Sequence, residues 1–492
     1  MGEEGVGSRV MSKTGSVPVF PLLHVHSQHS FLSGVDRPED LARAGADLGY
    51  SIMALTDRMS LSGGVRFVRA AQERGIRPLL GCETFWRSGT GRTDPVHSGA
   101  LQAAGDTGDR VLLIAEGENG YRKLSRLITR ALSEDRMRQD VTLDMLAEAA
   151  GEGGILALLG TRRSVLAQVL LAGEIERADQ LARALVETLG EEHVALVMER
   201  LFLPGERRLE AGMDAIAARL HIPVVAAPPV HHRRREDLWL HDLVTCLGEG
   251  ITVEEPSLAR PLNAEGYLAP MADMLKRYED RPDAVMALRE LAERLETPYR
   301  VPPPRPRIPR VVLPSGVTSE EALHTALREG SIRRYGFPLP SGLEERLESE
   351  FRVIVDLGYA DYFLLVMDVV AHARRTGVRV VGRGSAADSA AAYVLGITEV
   401  DAFSRGLLFE RFMSRERGEK PDIDLDFDAR RRDEIAAYVS TLYGADHVAS
   451  VGTFSTFRIR SAVRELGKTL GFSEKELDRL AKAVPDVPAD AI

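Results

Sequence analysis

The residues best suited to chemistry in this sequence lie in Lys420-Pro421-Asp422-Ile423-Asp424-Leu425-Asp426-Phe427, where three carboxylates alternate with apolar side chains. A strand turns successive side chains to opposite faces, so the acids would share one face and Ile423, Leu425 and Phe427 the other. Ionised carboxylates stacked in a row repel one another, and either bulk water or bound cations must offset that repulsion. Magnesium suits such a row: it takes carboxylate oxygens, keeps several waters and completes its shell with substrate phosphates. Two such ions side by side clamp the attacking and the leaving oxygen of a phosphoryl transfer. For the stretch taken alone, a solvated acidic face on an edge strand is the competing reading.

The flanking sequence favours chemistry. Gly382-Arg383-Gly384-Ser385-Ala386-Ala387-Asp388-Ser389 leads into an apolar helical run ending at Leu395. A glycine-serine turn that opens a helix presents backbone N–H groups to a phosphate, and Arg383 adds a fixed charge. Leu408-Phe409-Glu410-Arg411-Phe412 supplies Arg411 as a second guanidinium for a triphosphate. Turn, arginines and acids together make a nucleotidyl-transfer site. The elements that must position them are a strand at 378–381 leading into the turn and helices over 319–334, 343–356 and 364–376. A helix follows the acids as far as Tyr443. Beyond it, Arg458, Arg460, Arg464 and Lys468 recur among apolar residues. A helix there would rest one face on a core and turn cations toward a phosphate backbone, or simply toward water.

A second constellation lies in the N-terminal half. Short apolar runs near 22–26, 51–56, 77–83, 110–116, 154–159, 194–198 and 222–226 alternate with helical patterns such as 37–48 and 63–74. Repeated strand–helix units predict a parallel sheet, and seven strands a closed barrel. Chemistry in such barrels sits at the C-terminal strand ends, where His24, His26, Asp57, Glu83 and His231 fall. His24-Val25-His26 places two imidazoles on one strand face, a metal-type pair that also arises often by chance.

Composition bounds these readings without choosing among them. The 492 residues allow about three domains, and a 44% apolar content supplies their cores. No run is long and apolar enough to span a membrane. Two cysteines, Cys82 and Cys246, exclude a disulfide scaffold or a zinc ribbon and suit a reducing cytoplasm. A net charge of −10 requires any nucleic-acid contact to come from locally concentrated cations.

The run G-R-G-S-A-A-D-S, the L-L-F-E-R-F segment and P-D-I-D-L-D-F, in this order, resemble the palm of the family C bacterial DNA polymerase III alpha subunits. The flanking Leu357–Leu364 segment, Gly452-Thr453-Phe454 and Arg464-Glu465-Leu466-Gly467-Lys468 fit the same pattern. Residues 21–232 resemble the polymerase-and-histidinol-phosphatase (PHP) domain that opens those proteins. The resemblance covers essentially this whole chain but not the whole family protein. It implies an α/β chain: an N-terminal PHP-like (β/α)7 barrel, then a mixed α+β palm and part of a helical thumb. The expected boundaries are a disordered 1–19, the barrel at 20–232, a helical extension at 233–300, a proline-rich linker at 301–317, a partial palm at 318–430 and a partial thumb at 431–492.

The resemblance also implies roles. Asp424 and Asp426 hold two Mg²⁺ ions; Arg383, Gly384, Ser385 and Arg411 contact the incoming dNTP; Arg458, Arg460, Arg464 and Lys468 grip primer–template DNA. A clamp, other replication or repair proteins and a C-terminal polymerase half are the expected partners, through regions beyond Ile492. The sequence ends before the family's third catalytic carboxylate, so the expectation is that this polypeptide does not polymerise alone. In the barrel the metal-cluster motif matches His24, His26, Glu83 and His231, but Ser33, Arg58, Arg110, Gly160 and Pro229 stand where other ligands are usual. Arginines there repel a cation, which predicts a barrel that keeps its fold with its metal absent or incomplete. That erosion, with Asp388 where glycine is common, leans toward the error-prone, damage-tolerant branch. Two other classes compete: a stand-alone PHP-type metal-dependent phosphoesterase, and a non-catalytic DNA-binding scaffold.

Overall fold

The apolar runs of the N-terminal half become one seven-stranded sheet. Its strands are β1 (Ile52–Leu55), β2 (Arg77–Arg87), β3 (Asp109–Ala115), β4 (Asp140–Thr142), β5 (Ile155–Leu159), β6 (Val194–Met198) and β7 (Val224–Ala226). They lie in the order β1-β2-β3-β5-β6-β7, with β4 beside β2. The computed structural model describes residues 19–87, 109–134, 140–151, 153–297, 309–415, 421–444, 447–454 and 456–485. The stretch expected to be disordered, up to residue 18, and positions 301–308 of the proline-rich linker lie outside the described residues.

Every residue of β5 and of β6 is buried, as in strands covered on both faces. Helices Pro38–Asp47 and Gly64–Glu73, close to the 37–48 and 63–74 expected from apolar spacing, pack beside β1 and β2. One expectation fails: the sheet is not purely parallel. β3 runs antiparallel to both β2 and β5. An antiparallel neighbour needs no helical crossover, and the Gly-, Ser- and Thr-rich sequence between β2 and β3 carries no helical apolar period. Residues 22–26 also form isolated bridges rather than a strand. Leu22 pairs with Met53 of β1 and Val25 with Val230 beyond β7. The His26 N–H donates to the Val230 carbonyl at 2.8 Å, and the Val230 N–H to the His24 carbonyl at 2.9 Å. This segment thereby ties the two edges of the sheet together and curls it into a barrel, with His24 and His26 at the seam.

After the barrel come helices Leu238–Glu249, Met271–Arg277 and Pro282–Arg294, the last burying Ala284, Val285, Leu288, Leu291 and Ala292. Helices Ile459–Thr469 and Glu474–Ala483 belong to the same compact unit, which comprises residues 1–304 and 456–492. The Thr469 carbonyl there accepts the Val253 N–H at 2.9 Å.

The second unit spans residues 305–455. Helices Ser319–Tyr335, Leu343–Asp356 and Ala360–Arg375 pack a core that includes Leu323, Leu347, Ile354, Phe363, Val370 and Phe412. The first helix is capped by Thr318, whose hydroxyl accepts the Glu321 N–H while Glu321 accepts the Thr318 N–H, a reciprocal capping box. Against this core lie β8 (Val380–Arg383) and β9 (Asp424–Phe427), paired antiparallel with Arg383 opposite Asp424 and Val381 opposite Asp426. Helix Arg432–Tyr443 packs on Ala360–Arg375, where Tyr438 stacks on His372 and donates its hydroxyl to Asp368 at 2.7 Å.

Candidate functional site

The alternation expected in the acidic stretch is realised over β9. Asp424 and Asp426 share one face, while Asp422 lies outside the strand and exposed. Arg383, on the paired strand β8, holds both acids: its Nη1 is 3.2 Å from Asp424 Oδ2 and its Nε 3.1 Å from Asp426 Oδ2. The side-chain bond to Asp426 and the neighbouring charges raise the guanidinium pKa above its ordinary value. Two carboxylates that share one guanidinium can share another cation, and all their ligand atoms are oxygen, so the pair fits magnesium. With Arg383 60% exposed at its side chain, exchange of that guanidinium for another cation costs little desolvation.

Two glycines let the backbone come this close. A Cβ on Gly382 would stand 2.3 Å from the Ile397 carbonyl oxygen, and Gly384 has φ +73° with Asp424 Oδ2 only 3.2 Å from where a Cβ would be. The turn Gly384–Asp388 is a short 3-10 helix with Ser385 exposed. Arg411 ends another short 3-10 turn, Phe409–Arg411, with its Nε 3.6 Å from Asp388 Oδ2.

The following helix does not serve as the phosphate cradle that the sequence suggests. Helix Ala390–Val394 has only five residues, and its first N–H groups are already taken. Glu350, 1% exposed, accepts the Ala390 N–H at 3.1 Å, the Ala391 N–H at 2.9 Å and the Ser389 hydroxyl at 2.7 Å. Arg346 neutralises it at 2.6 Å. Ser389 caps the Ala392 N–H at 3.0 Å. Any anion at this site meets the Gly384–Asp388 turn instead. Glu350 escaped the sequence reading, although a signal was present: it replaces an apolar residue in the buried stripe Leu343, Leu347, Glu350, Ile354.

The barrel mouth gathers His24, His26 and Glu83, with ligand atoms within 4.8 Å of one another. His24 Nε2 and His26 Nε2 lie 2.9 Å apart, His26 Nδ1 meets the Ser30 hydroxyl at 2.9 Å, and His231 stacks on His26 at 4.7 Å. The site's charge is already balanced by protein. Arg58 Nε is 3.2 Å from one Glu83 oxygen and Arg110 Nη1 3.6 Å from the other. Burial pushes the Glu83 carboxyl up, but Arg110, His26 and Arg58 outweigh it and hold it well below the usual carboxylate range. Burial lowers His26 and His231 well below the ordinary histidine value, so both imidazoles are neutral. Asp57 is committed to structure, accepting the Ser27 N–H at 2.6 Å and the Ser27 and Ser30 hydroxyls at 2.7 Å each. Gly160 sits at φ +90° facing Met213, and Ser33 and Pro229 line the mouth. With both oxygens of its carboxylate in ion pairs, the donor set does not fit a multi-metal cluster.

Helix Ile459–Thr469 forms as expected, and Arg458, Arg460, Arg464 and Lys468 are all exposed. Arg460, Arg464 and Lys468 fall four residues apart on one face. Part of their charge is answered locally. Arg464 pairs with Asp478 at 2.5 Å, Lys468 with Glu465 at 2.9 Å, and Arg460 donates to the Val484 carbonyl at 3.1 Å.

Comparison with known proteins agrees with this layout. Residues 23–200 match the PHP domain and residues 321–491 the Bacterial DNA polymerase III alpha NTPase domain. An error-prone DNA polymerase of Symbiobacterium thermophilum is 43% identical over 95% of this chain. Across both matched regions the chain is similar to bacterial DNA polymerase III alpha proteins. An error-prone DNA polymerase of Cutibacterium acnes is 35% identical over 97% of the chain. The DNA polymerase III subunit alpha of Pseudomonas aeruginosa is 32% identical over 95%. The chain spans 42%, 41% and 39% of the lengths of these three relatives. Among the described residues, no helix is long and apolar enough to cross a membrane.

Proposed function

We propose that this chain is the N-terminal part of a DNA-directed DNA polymerase of the error-prone type, and that nucleotidyl transfer takes place on the β8–β9 strand pair. The observation that carries this reading is the arrangement of Arg383 between Asp424 and Asp426, beside a glycine turn that approaches the Asp424 carboxylate. Asp424 and Asp426 would hold divalent magnesium. When bound, such ions lower the pKa of the primer 3′-hydroxyl and support the departing pyrophosphate. Arg383, released from the two carboxylates, turns its guanidinium to the triphosphate of the incoming dNTP. Gly384 and Ser385 offer turn N–H groups and a hydroxyl to the phosphate oxygens. Arg411 supplies a second guanidinium, oriented by Asp388. The exposed cations at 458, 460, 464 and 468 contribute phosphate contacts that position duplex DNA without reading its sequence. A metal-dependent phosphoesterase in the barrel is not favoured, because Arg58 and Arg110 already occupy Glu83.

Primer extension with Mg²⁺ and all four dNTPs tests the assignment, using this chain alone and supplemented with the region that follows in the longer relatives. We expect Asp424→Asn/Asp426→Asn to abolish whatever extension the native sequence supports, and to remove saturable Mn²⁺ binding. Wild-type extension or unchanged Mn²⁺ binding by the double variant would place the chemistry elsewhere.

A further inference from the structure

Arg346, on helix Leu343–Asp356, bonds more than the Glu350 carboxylate that it neutralises. Its Nε donates to Glu350 Oε1 at 2.6 Å, while its Nη2 donates to the Leu407 carbonyl at 2.9 Å and stands 3.5 Å from the Asp388 carbonyl. Asp388 closes the Gly384–Asp388 turn, and Leu407 leads into the turn Phe409–Arg411. One guanidinium thus joins the two stretches assigned to the triphosphate. The stretches also meet directly, where Arg411 Nε is 3.6 Å from Asp388 Oδ2. Glu350 fixes the guanidinium from behind: it is buried and also accepts from Ser389, Ala390 and Ala391. All of these residues lie in the second unit.

An ion pair with Glu350 alone asks only for a cation, which lysine would supply. Reaching the Leu407 carbonyl at the same time asks for a planar fork whose N–H groups keep fixed directions. Phe409 and Phe412 are buried and set how deep the second turn sits, but apolar contacts have no direction and do not aim Arg411. The Arg346 side chain is 25% exposed, so its bonds are partly shielded from water. We propose that Arg346 is a positioning residue for the incoming nucleotide: it holds the Gly384–Asp388 turn and Arg411 in the mutual placement at which both meet one triphosphate. It does not touch the nucleotide and acts only through the two turns. That role rests on the triphosphate reading of the same site.

The test is calorimetric titration of the full chain with dATP in the presence of Mg²⁺, together with amide hydrogen exchange. Arg346→Lys keeps the ion pair with Glu350, so its urea midpoint should stay near that of the native sequence. We expect it to keep the native stoichiometry yet bind dATP about tenfold or more weakly, since small misplacements of contacting groups are costly. A merely structural loss would lower the stoichiometry and leave the affinity of the remaining sites unchanged. Exchange in Arg346→Lys should quicken in both turns together. Added to Arg411→Ala, Arg346→Lys should weaken binding little further, because both substitutions disable the same contact. Arg352→Ala, exposed on the same helix, leaves the affinity unchanged. Native affinity in Arg346→Lys, faster exchange confined to one turn, or losses that add fully to those of Arg411→Ala would each overturn the proposal. Failure of the underlying reading is distinct: the native chain would then bind dATP no more tightly than deoxyadenosine, and the positioning role would fall with it.

Discussion

Two arginine–carboxylate groups in this chain have opposite energetics, and burial separates them. Arg383 bridges Asp424 and Asp426 with its side chain 60% exposed, so water screens the pair and it adds little to stability. It can be surrendered to a metal or a triphosphate. Glu83 meets Arg58 and Arg110 with its own side chain 3% exposed. Breaking a buried ion group by removing one member costs about 3–5 kcal/mol, because the remaining charge is left without a partner. Glu83→Gln should therefore lower unfolding stability by about that much in urea titration, whereas Arg383→Ala should leave the urea midpoint nearly unchanged. Equal costs for the two substitutions would contradict this division. The residue identities Arg58 and Arg110 were legible as hostile to a cation. That both converge on Glu83 was not, because they come from the end of β1 and the start of β3.

At the scale of elements, the Gly384–Asp388 turn is held in place by a residue from a distant helix. Glu350 uses both carboxylate oxygens to fix the start of Ala390–Val394 and is itself held by Arg346. A five-residue helix cannot stand on its own hydrogen bonds, so this clamp decides whether the turn keeps its shape. Glu350→Ala should cost about 3–5 kcal/mol by leaving the Arg346 guanidinium without a counter-charge and two buried N–H groups without an acceptor. Ser389→Ala, which removes the cap alone, should cost about 0.5–2 kcal/mol. Thermal or urea unfolding that ranks Ser389→Ala above Glu350→Ala would refute the clamp. Apolar spacing gave the helix Leu343–Asp356 its bounds, but a buried acid in its stripe has no meaning until its partners, about forty residues away in sequence, are known.

For the whole molecule, the barrel core sets the response to acid. His26, His231 and His241 are kept neutral mainly by burial, His241 being pushed down to about 3. Unfolded histidines take up protons near pH 6.5. Above that value neither state binds these protons and stability is level. As pH falls below it, the unfolded chain gains protons that the folded barrel refuses, so stability drops by about 1.4 kcal/mol per pH unit for each histidine. Glu83, held low in the fold, adds to the loss once pH reaches the usual carboxylate range. Asp57 opposes it there, since burial raises its folded value. The urea midpoint of the barrel should hence fall steadily between pH 6.5 and 5; a flat profile would mean that these imidazoles are hydrated.

Sequence alone determined the features that rest on local periodicity and chemistry. A period of two put Asp424 and Asp426 on one face. Apolar runs bounded β5 and β6, and amphipathic spacing bounded the helices at 38–47, 64–73, 343–356 and 459–469. Only the tertiary structure decided what depends on strands meeting across long separations. It set the antiparallel placement of β3, the bridging of both sheet edges by residues 22–26 and the register that puts Arg383 against the acids. It also gave the start of the Ala390–Val394 helix to Glu350. Periodicity is written in neighbouring residues, whereas pairing partners and buried charge networks are chosen by the free energy of the assembled core.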